Sequence, residues 1–206
     1  MPERTGLNPL ASQKIQAELK EIEKSNNTNI PIVEASEKIY QKLQSSIIDS
    51  LTGIYNRRYL DDYIKNFDGS REKNDIAIIF CDINNLKAVN TISDKLGDEL
   101  IQKTANFLTE NTRDSDRVVR KGGDEFVVLC ENIDDFSKFR ETLSDRFDKN
   151  MALSKIQFAY GFVQFDPTQE DKSLRDTIER GNFLMKQKKS EQKSQQNFSS
   201  NLSAKE

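Results

Sequence analysis

Histidine is absent from the chain, which removes imidazole acid–base chemistry and most zinc sites together. Carboxylates, lysines and metal-activated groups remain for any chemistry. Long apolar runs are also missing: nowhere do about 18 apolar residues stand together, the length a membrane-spanning helix needs. The N-terminal stretch MPERTGLNPLASQK has no apolar core of a signal peptide. The expectation is a cytoplasmic protein without membrane insertion. Cysteine is scarce. Cys81 and Cys130 both fall in predicted strands, which reads as buried thiols, although strand adjacency leaves a disulfide open. Nor is there a large excess of one charge: 31 Lys+Arg stand against 34 Asp+Glu, a net charge of −3. That excludes the basic footprint of a nucleic-acid-polymer binder, so an anionic ligand has to be held locally.

What is present suits one domain of about 150 residues with polar extensions, since 35% of the 206 residues are hydrophobic and 32% charged. Residues 1–48 read as an N-terminal helical extension. Ile15, Leu19 and Ile22 form a narrow stripe over residues 12–25, residues 24–30 break it, and Pro31 opens a second helix to about residue 49. Simple packing on the domain and a dimerising stalk both account for such helices. Residues 49–190 read as the folded domain, and residues 191–206 as a polar, disordered tail.

Within the domain a turn around Gly53 leads to an amphipathic stretch with Leu60, Tyr63, Ile64 and Phe67 inward. Then Asp75–Ile83 (DIAIIFCDI) is a strand, 94–111 a helix with Leu96, Leu100, Ile101, Phe107 and Leu108 on its apolar side, and 116–121 with 125–131 a hairpin. Residues 134–149 form a helix and 156–165 a strand. The order βαββαβ predicts an α+β fold of split-βαβ, ferredoxin-like, palm type, with an antiparallel central sheet and the helices on one face.

The stretch that folding needs alone do not explain is Arg117–Leu129 (RVVRKGGDEFVVL). Gly122 and Gly123 fit a tight turn at positive φ, but a hairpin tip does not require the adjacent acids Asp124 and Glu125. With the first strand central, Asp82 at its end lies beside that tip. Three carboxylates converging on a strand end and a glycine turn describe a hard-cation site for Mg²⁺, with phosphates completing the shell.

These residues resemble the GGDEF family, the diguanylate cyclases, which condense two GTP into cyclic di-GMP. Gly122-Gly123-Asp124-Glu125-Phe126 is the signature string. Asp82-Ile83-Asn84-Asn85-Leu86-Lys87 is similar to the family's DIDxFK stretch, and Asp49 to Arg58 to its DxLTGLxNRR segment. The resemblance implies a homodimer with one GTP per half-site. Asp82, the Ile83 carbonyl, Asp124 and Glu125 would hold two Mg²⁺ (or Mn²⁺) per GTP, and Asp124 would help deprotonate the attacking 3′-hydroxyl. Lys87 and the amides of Asn85 and Leu86 would neutralise the β- and γ-phosphates, with Gly123 leaving room for substrate. Asn90 and Asp98 would hydrogen-bond the guanine edge, and Lys189 and Lys193 would reach toward phosphate. Arg113 and Asp116 form an RxxD pattern with five residues between it and Gly122, as in the family's inhibitory product site.

Between Asn90 and Asp98 the chain is one residue shorter than the family's NDxxGHxxGD. Such a deletion at a helix start rotates the downstream helix by about 100° unless the loop absorbs it. The altered loop favours an alternative, a degenerate GGDEF domain acting as a non-enzymatic cyclic di-GMP receptor. A cyclase of relaxed base choice is a third option, opposed by Asp98.

Overall fold

A run of β-branched and aromatic residues buried on both faces has to be an interior strand, and Ile76–Ile83 is one: all eight of its residues are buried. In the computed structural model, which describes residues 38, 41–42, 45–68, 75–165 and 173–203 (backbone alone for 188 and 191–203), this strand, β2, lies between two antiparallel neighbours. The elements in chain order are β1 (Tyr55–Asn56), α1 (Arg57–Asp68), β2 (Ile76–Ile83), α2 (Leu86–Ile92) and α3 (Asp94–Asn111). They continue with β3 (Arg117–Arg120), β4 (Glu125–Glu131), α4 (Phe136–Ser154), β5 (Phe158–Gln164) and α5 (Leu174–Ser203). The sheet order is β1-β3-β4-β2-β5. All pairings are antiparallel except the short parallel contact of β1 with β3.

Side chains alternate across β2, and each parity meets its own core. Ala77, Ile79, Cys81 and Ile83 pack with Ile101, Ala105, Phe107 and Leu108 of α3 and with Leu143 and Phe147 of α4. Ile76, Ile78 and Phe80 face α1 through Tyr59, Leu60 and Ile64, and α5 through Leu174, Ile178 and Met185. The expected pair of helices on one face is therefore α3 and α4, and α1 and α5 cover the second face. Both cysteines are buried and free.

Local chemistry sets the element ends. The Asn56 side chain accepts from the Tyr59 amide at 3.2 Å and caps α1, and Asp135 accepts from the Lys138 amide at 3.0 Å to cap α4. Asp68 accepts from the Leu174 amide at 2.7 Å, tying the end of α1 to the start of α5.

Several expectations change. Neither glycine of the hairpin has a positive φ; that conformation belongs to Gly53, at φ 72°, in the turn before β1. Leu96 is 45% exposed and is not a core residue. The segment 191–203, expected to be disordered, continues α5 as helix to Ser203, since it contains no proline or glycine to stop one. Described residues 38, 41–42 and 45–47 are helical, as expected for the second N-terminal helix. Its remainder, the helix over 12–25 and residues 204–206 lie outside the described residues.

Gly181 shows how closely α5 meets the sheet. A Cβ there would lie 2.3 Å from Phe80 Cε2 and 2.8 Å from Val163 Cγ2, and Phe80 is itself buried. Overpacking costs about 1–3 kcal/mol, against a helix-propensity gain of about 1 kcal/mol for alanine. Gly181→Ala should therefore lower the denaturation midpoint in urea without changing the slope. A midpoint at or above that of the unsubstituted chain would show that the α5–sheet contact has slack.

Candidate functional site

The register of β2 against β4 places Asp82 directly opposite Glu125. Opposed residues of an antiparallel pair project from the same face, here the face that α5 covers. The Ile83 amide donates to the Asp124 carbonyl at 3.0 Å, which seats the hairpin turn over the end of β2. The turn is closed by bonds from the Lys121 and Gly122 amides to the Glu125 carbonyl, at 2.9 and 3.3 Å, and from the Glu125 amide to the Gly122 carbonyl at 3.2 Å. A Cβ on Gly123 would meet nothing within 4 Å. The glycines thus leave an open approach to the tip instead of supplying a left-handed bend.

Past β2 the chain turns at Asn85, whose φ of 60° is in the left-handed region that asparagine tolerates. That turn brings Leu86 and Lys87 back over the strand end. A cleft of about 490 Å³ opens there, lined by Ile83, Asn85, Leu86, Lys87, Ala88, Thr91, Asp124 and Lys189. Six residues expected from the sequence to act on metal or phosphate share this cleft.

Asp82 and Glu125 each have a cationic neighbour. The Lys189 ammonium donates to Asp82 Oδ1 and, at 3.4 Å, to the Ile83 carbonyl. Glu125 is 3.3 Å from Lys121 Nζ and 4.0 Å from Lys186 Nζ. Burial pushes the Asp82 carboxyl above its ordinary range; Lys189 pulls it down without cancelling that, and the charges of Asp124 and Glu125 push it up again. Among the described residues no group of three or more His, Cys, Asp or Glu side chains is gathered closely enough to hold a metal ion. The three expected carboxylates thus share one end of the sheet without forming a single tight cluster. Asp82 and Glu125 are cross-strand neighbours, Asp124 belongs to the turn, and lysines balance the charge that would otherwise be focused. The donors themselves, three carboxylates and a backbone carbonyl, are all oxygen and suit a hard divalent cation.

Asn90 and Asp98 stand at the corner between α2 and α3, and neither lines the cleft. Ser93 is extended (φ −166°, ψ 128°) and ends α2 before α3 begins. Asn90 lies over Gly97 so closely that a Cβ there would be 1.6 Å from its Oδ1. Both Asn90 and Asp98 are exposed. The side chain of Lys193 lies outside the described residues.

Arg113 and Asp116 fall at the opposite end of β3 from the hairpin tip. The Asp116 carboxylate, 1% exposed, accepts from the Arg113 amide at 2.8 Å and its guanidinium at 3.0 Å. Arg113 also donates to the Glu131 carbonyl at 3.2 Å. The pair borders a separate cavity of about 450 Å³ to which Lys138, Phe139 and Arg146 contribute.

Sequence reasoning missed Lys121, Lys186 and Arg120. Lys186 precedes Lys189 by three residues on a helix, a spacing that puts both on one face. Arg120 carries no such signal. Its guanidinium donates to the Gly123 carbonyl at 3.1 Å and to Asp49 at 3.1 Å, and Asp49 also accepts from the Thr52 amide and hydroxyl at 3.0 and 2.7 Å. One arginine thus joins the turn that opens the domain to the hairpin tip.

The profile of the diguanylate cyclase GGDEF domain matches residues 46–195. The chain is 33% identical over 118 residues to the bifunctional diguanylate cyclase/cyclic di-GMP phosphodiesterase MucR of Pseudomonas aeruginosa, which covers 55% of this chain and 17% of that protein. It is 31% identical over 96 residues to the diguanylate cyclase DgcS of Shewanella oneidensis, or 45% of this chain and 32% of that one. The chain thus spans a third or less of these relatives. Among solved structures, the coiled coil and GGDEF domain of DgcB from Caulobacter crescentus, in complex with c-di-GMP, superposes with a TM-score of 0.66 at 19% identity. That match covers 87% of this chain and 94% of the other, and shows a common fold.

Burial alone would raise the Asp49 carboxyl, but its bonds to Thr52 and Arg120 hold it below the ordinary value of 3.8. A lowered folded-state value means stability present above 3.8 and lost as pH falls through the folded value. Asp49→Asn should melt below the unsubstituted chain at neutral pH, with the gap narrowing once pH drops under 3.8. A gap constant from neutral to strongly acidic pH would mean that the Asp49 charge contributes nothing.

Proposed function

The chain belongs to the diguanylate cyclase GGDEF-domain family, and from that premise we propose that it condenses two GTP into cyclic di-GMP across a homodimer. The observation that carries the reading is the register pair Asp82 and Glu125, with Asp124 and the Ile83 carbonyl at the mouth of a cleft that also holds Lys87 and Lys189. Phosphoryl transfer needs oxygen ligands for a divalent ion beside cations for a triphosphate, and this end of the sheet offers both.

In this reading one GTP lies in the cleft of each chain. Lys87, Lys189 and the backbone at Asn85 and Leu86 hold the β- and γ-phosphates, and the open backbone at Gly123 lets the nucleotide come close. The 3′-oxygen of one GTP forms a bond to the α-phosphorus of the other, the bond from that phosphorus to the β-phosphate bridge breaks, and pyrophosphate leaves. Asp124 takes the proton of the 3′-hydroxyl. Mg²⁺ or Mn²⁺ held by Asp82, Ile83, Asp124 and Glu125 would supply charge neutralisation on the phosphates and acidify that hydroxyl. Two transfers close the ring. The two half-sites must face each other, so residues 1–48 serve as the means of pairing. Asn90 and Asp98, both exposed near the corner between α2 and α3, read the guanine edge, where a carboxylate accepting from N1–H and N2–H₂ rejects adenine. The protein acts in the cytoplasm.

Product binding at Arg113 and Asp116 would inhibit the cyclase. The cavity there has a guanidinium already fixed by a buried carboxylate, and Lys138 and Arg146 add positive charge around it. That ready cavity also favours the second reading, a receptor that binds cyclic di-GMP without making it.

Incubation with GTP and Mg²⁺, followed by mass spectrometry, separates the two readings. The expected product is cyclic di-GMP; retained cyclic di-GMP binding with no product at high protein concentration would establish the receptor. Glu125→Ala should lower kcat by about a hundredfold or more with the melting midpoint little changed, and a rate like that of the unsubstituted chain would place the metal elsewhere. Arg113→Ala should relieve inhibition by added product while leaving the initial rate intact, and unaltered inhibition would remove the cavity from the regulatory scheme.

A further inference from the structure

The Lys189 ammonium contacts the Asp82 carboxylate and the Ile83 carbonyl, the same two oxygens that the proposed function assigns to a divalent cation. An internal cation therefore already engages that donor pair. We propose that Lys189 is a built-in occupant of the cation site, and that the site accepts a divalent ion only when a nucleotide triphosphate draws the ammonium off Asp82 into the cleft. This rests on the reading of the cleft as a metal–nucleotide site and goes beyond it by making metal and nucleotide binding mutually dependent.

Three features carry the inference. The paired side chains of Lys189 and Asp82 are 18% and 11% exposed, so water competes weakly with the contact and a free metal ion has to displace an ammonium from a sheltered carboxylate. Lys189 also lines the cleft beside Lys87. Its four-carbon stem can carry the charge from Asp82 to a phosphate by rotamer changes, with the helix in place. Finally, the two other lysines near these carboxylates, Lys121 and Lys186, both face Glu125. Once Lys189 leaves, Asp82 faces the charges of Asp124 and Glu125 without its counter-ion, and a divalent cation restores the balance. Linkage makes the effect reciprocal, so a bound metal also favours the displaced position of Lys189 and hence the nucleotide.

The test is Mn²⁺ binding to the full 206-residue chain without nucleotide, followed by the electron paramagnetic resonance signal of free Mn²⁺. Lys189→Met should bind Mn²⁺ about tenfold or more tightly than the unsubstituted chain. Lys186→Met, which removes an equal charge nearby, should change affinity by about threefold or less. Adding Asp82→Asn to Lys189→Met should abolish the gain. Equal effects of Lys189→Met and Lys186→Met, or a gain that survives Asp82→Asn, would overturn the proposal. If the unsubstituted chain binds Mn²⁺ together with a non-hydrolysable GTP analogue but Lys189→Met gains nothing without it, this inference alone fails. If no protein-dependent Mn²⁺ binding occurs even with the analogue, the metal-site reading fails and takes the inference with it. A measurement free of substitutions is the ¹⁵N signal of the Lys189 ammonium. It should persist when Mg²⁺ is added alone and shift on addition of the analogue with Mg²⁺; a shift with Mg²⁺ alone, or none with both, would refute the exchange.

Discussion

The register of β2 against β4 is the constraint on which the rest of this molecule depends. Pairing Asp82 with Glu125 fixes the parity of both strands, so that Ile76, Ile78 and Phe80 share a face with Val127 and Leu129. A slip of one residue would turn the Asp82 carboxylate into the core occupied by Ala77, Ile79 and Cys81. With both faces of the sheet covered, that alternative is excluded by burial. The same hydrophobic pattern that stabilises the sheet therefore aims the acids at α5.

Charge then shapes what the sheet has positioned. Three acids at one strand end would repel, and the fold answers with Lys189 on Asp82 and with Lys121 and Lys186 on Glu125. Two of these lysines come from α5, whose inner face is anchored by Leu174, Ile178 and Met185 and by the close approach at Gly181. Helix packing and site electrostatics are thereby one problem, since a shift of α5 moves the counter-ions with it.

Much of this was legible in the sequence where a residue type could serve only one purpose. The unbroken run from Ile76 to Ile83 could only be an interior strand, and glycines followed by two acids marked the hairpin tip. The resemblance to GGDEF domains rests on the intact string from Gly122 to Phe126 and on two similar stretches, and the family match over residues 46–195 agrees with it. Features set by distant partners were not legible. The positive φ expected at the tip belongs to Gly53, because glycine serves openness as well as curvature and sequence does not distinguish the two. That α1 and α5 would take the second face is set by their packing against Ile76, Ile78 and Phe80, which no local pattern announces. The bond from Arg120 to both Asp49 and Gly123 joins positions 71 residues apart, and only the folded chain brings them together. The break between α2 and α3 at the extended Ser93 was likewise not announced by the sequence, which carries no proline or glycine there.

The two walls of the cleft keep different time. Asp82 and Ile83 end a strand paired on both sides and buried along its whole length, so its interior amides exchange with deuterium only when the sheet itself comes apart. The facing wall is a turn with both glycines exposed, whose few backbone bonds can open locally without parting the sheet. Of the two walls, the strand end is therefore the more rigid and the turn the more readily deformed.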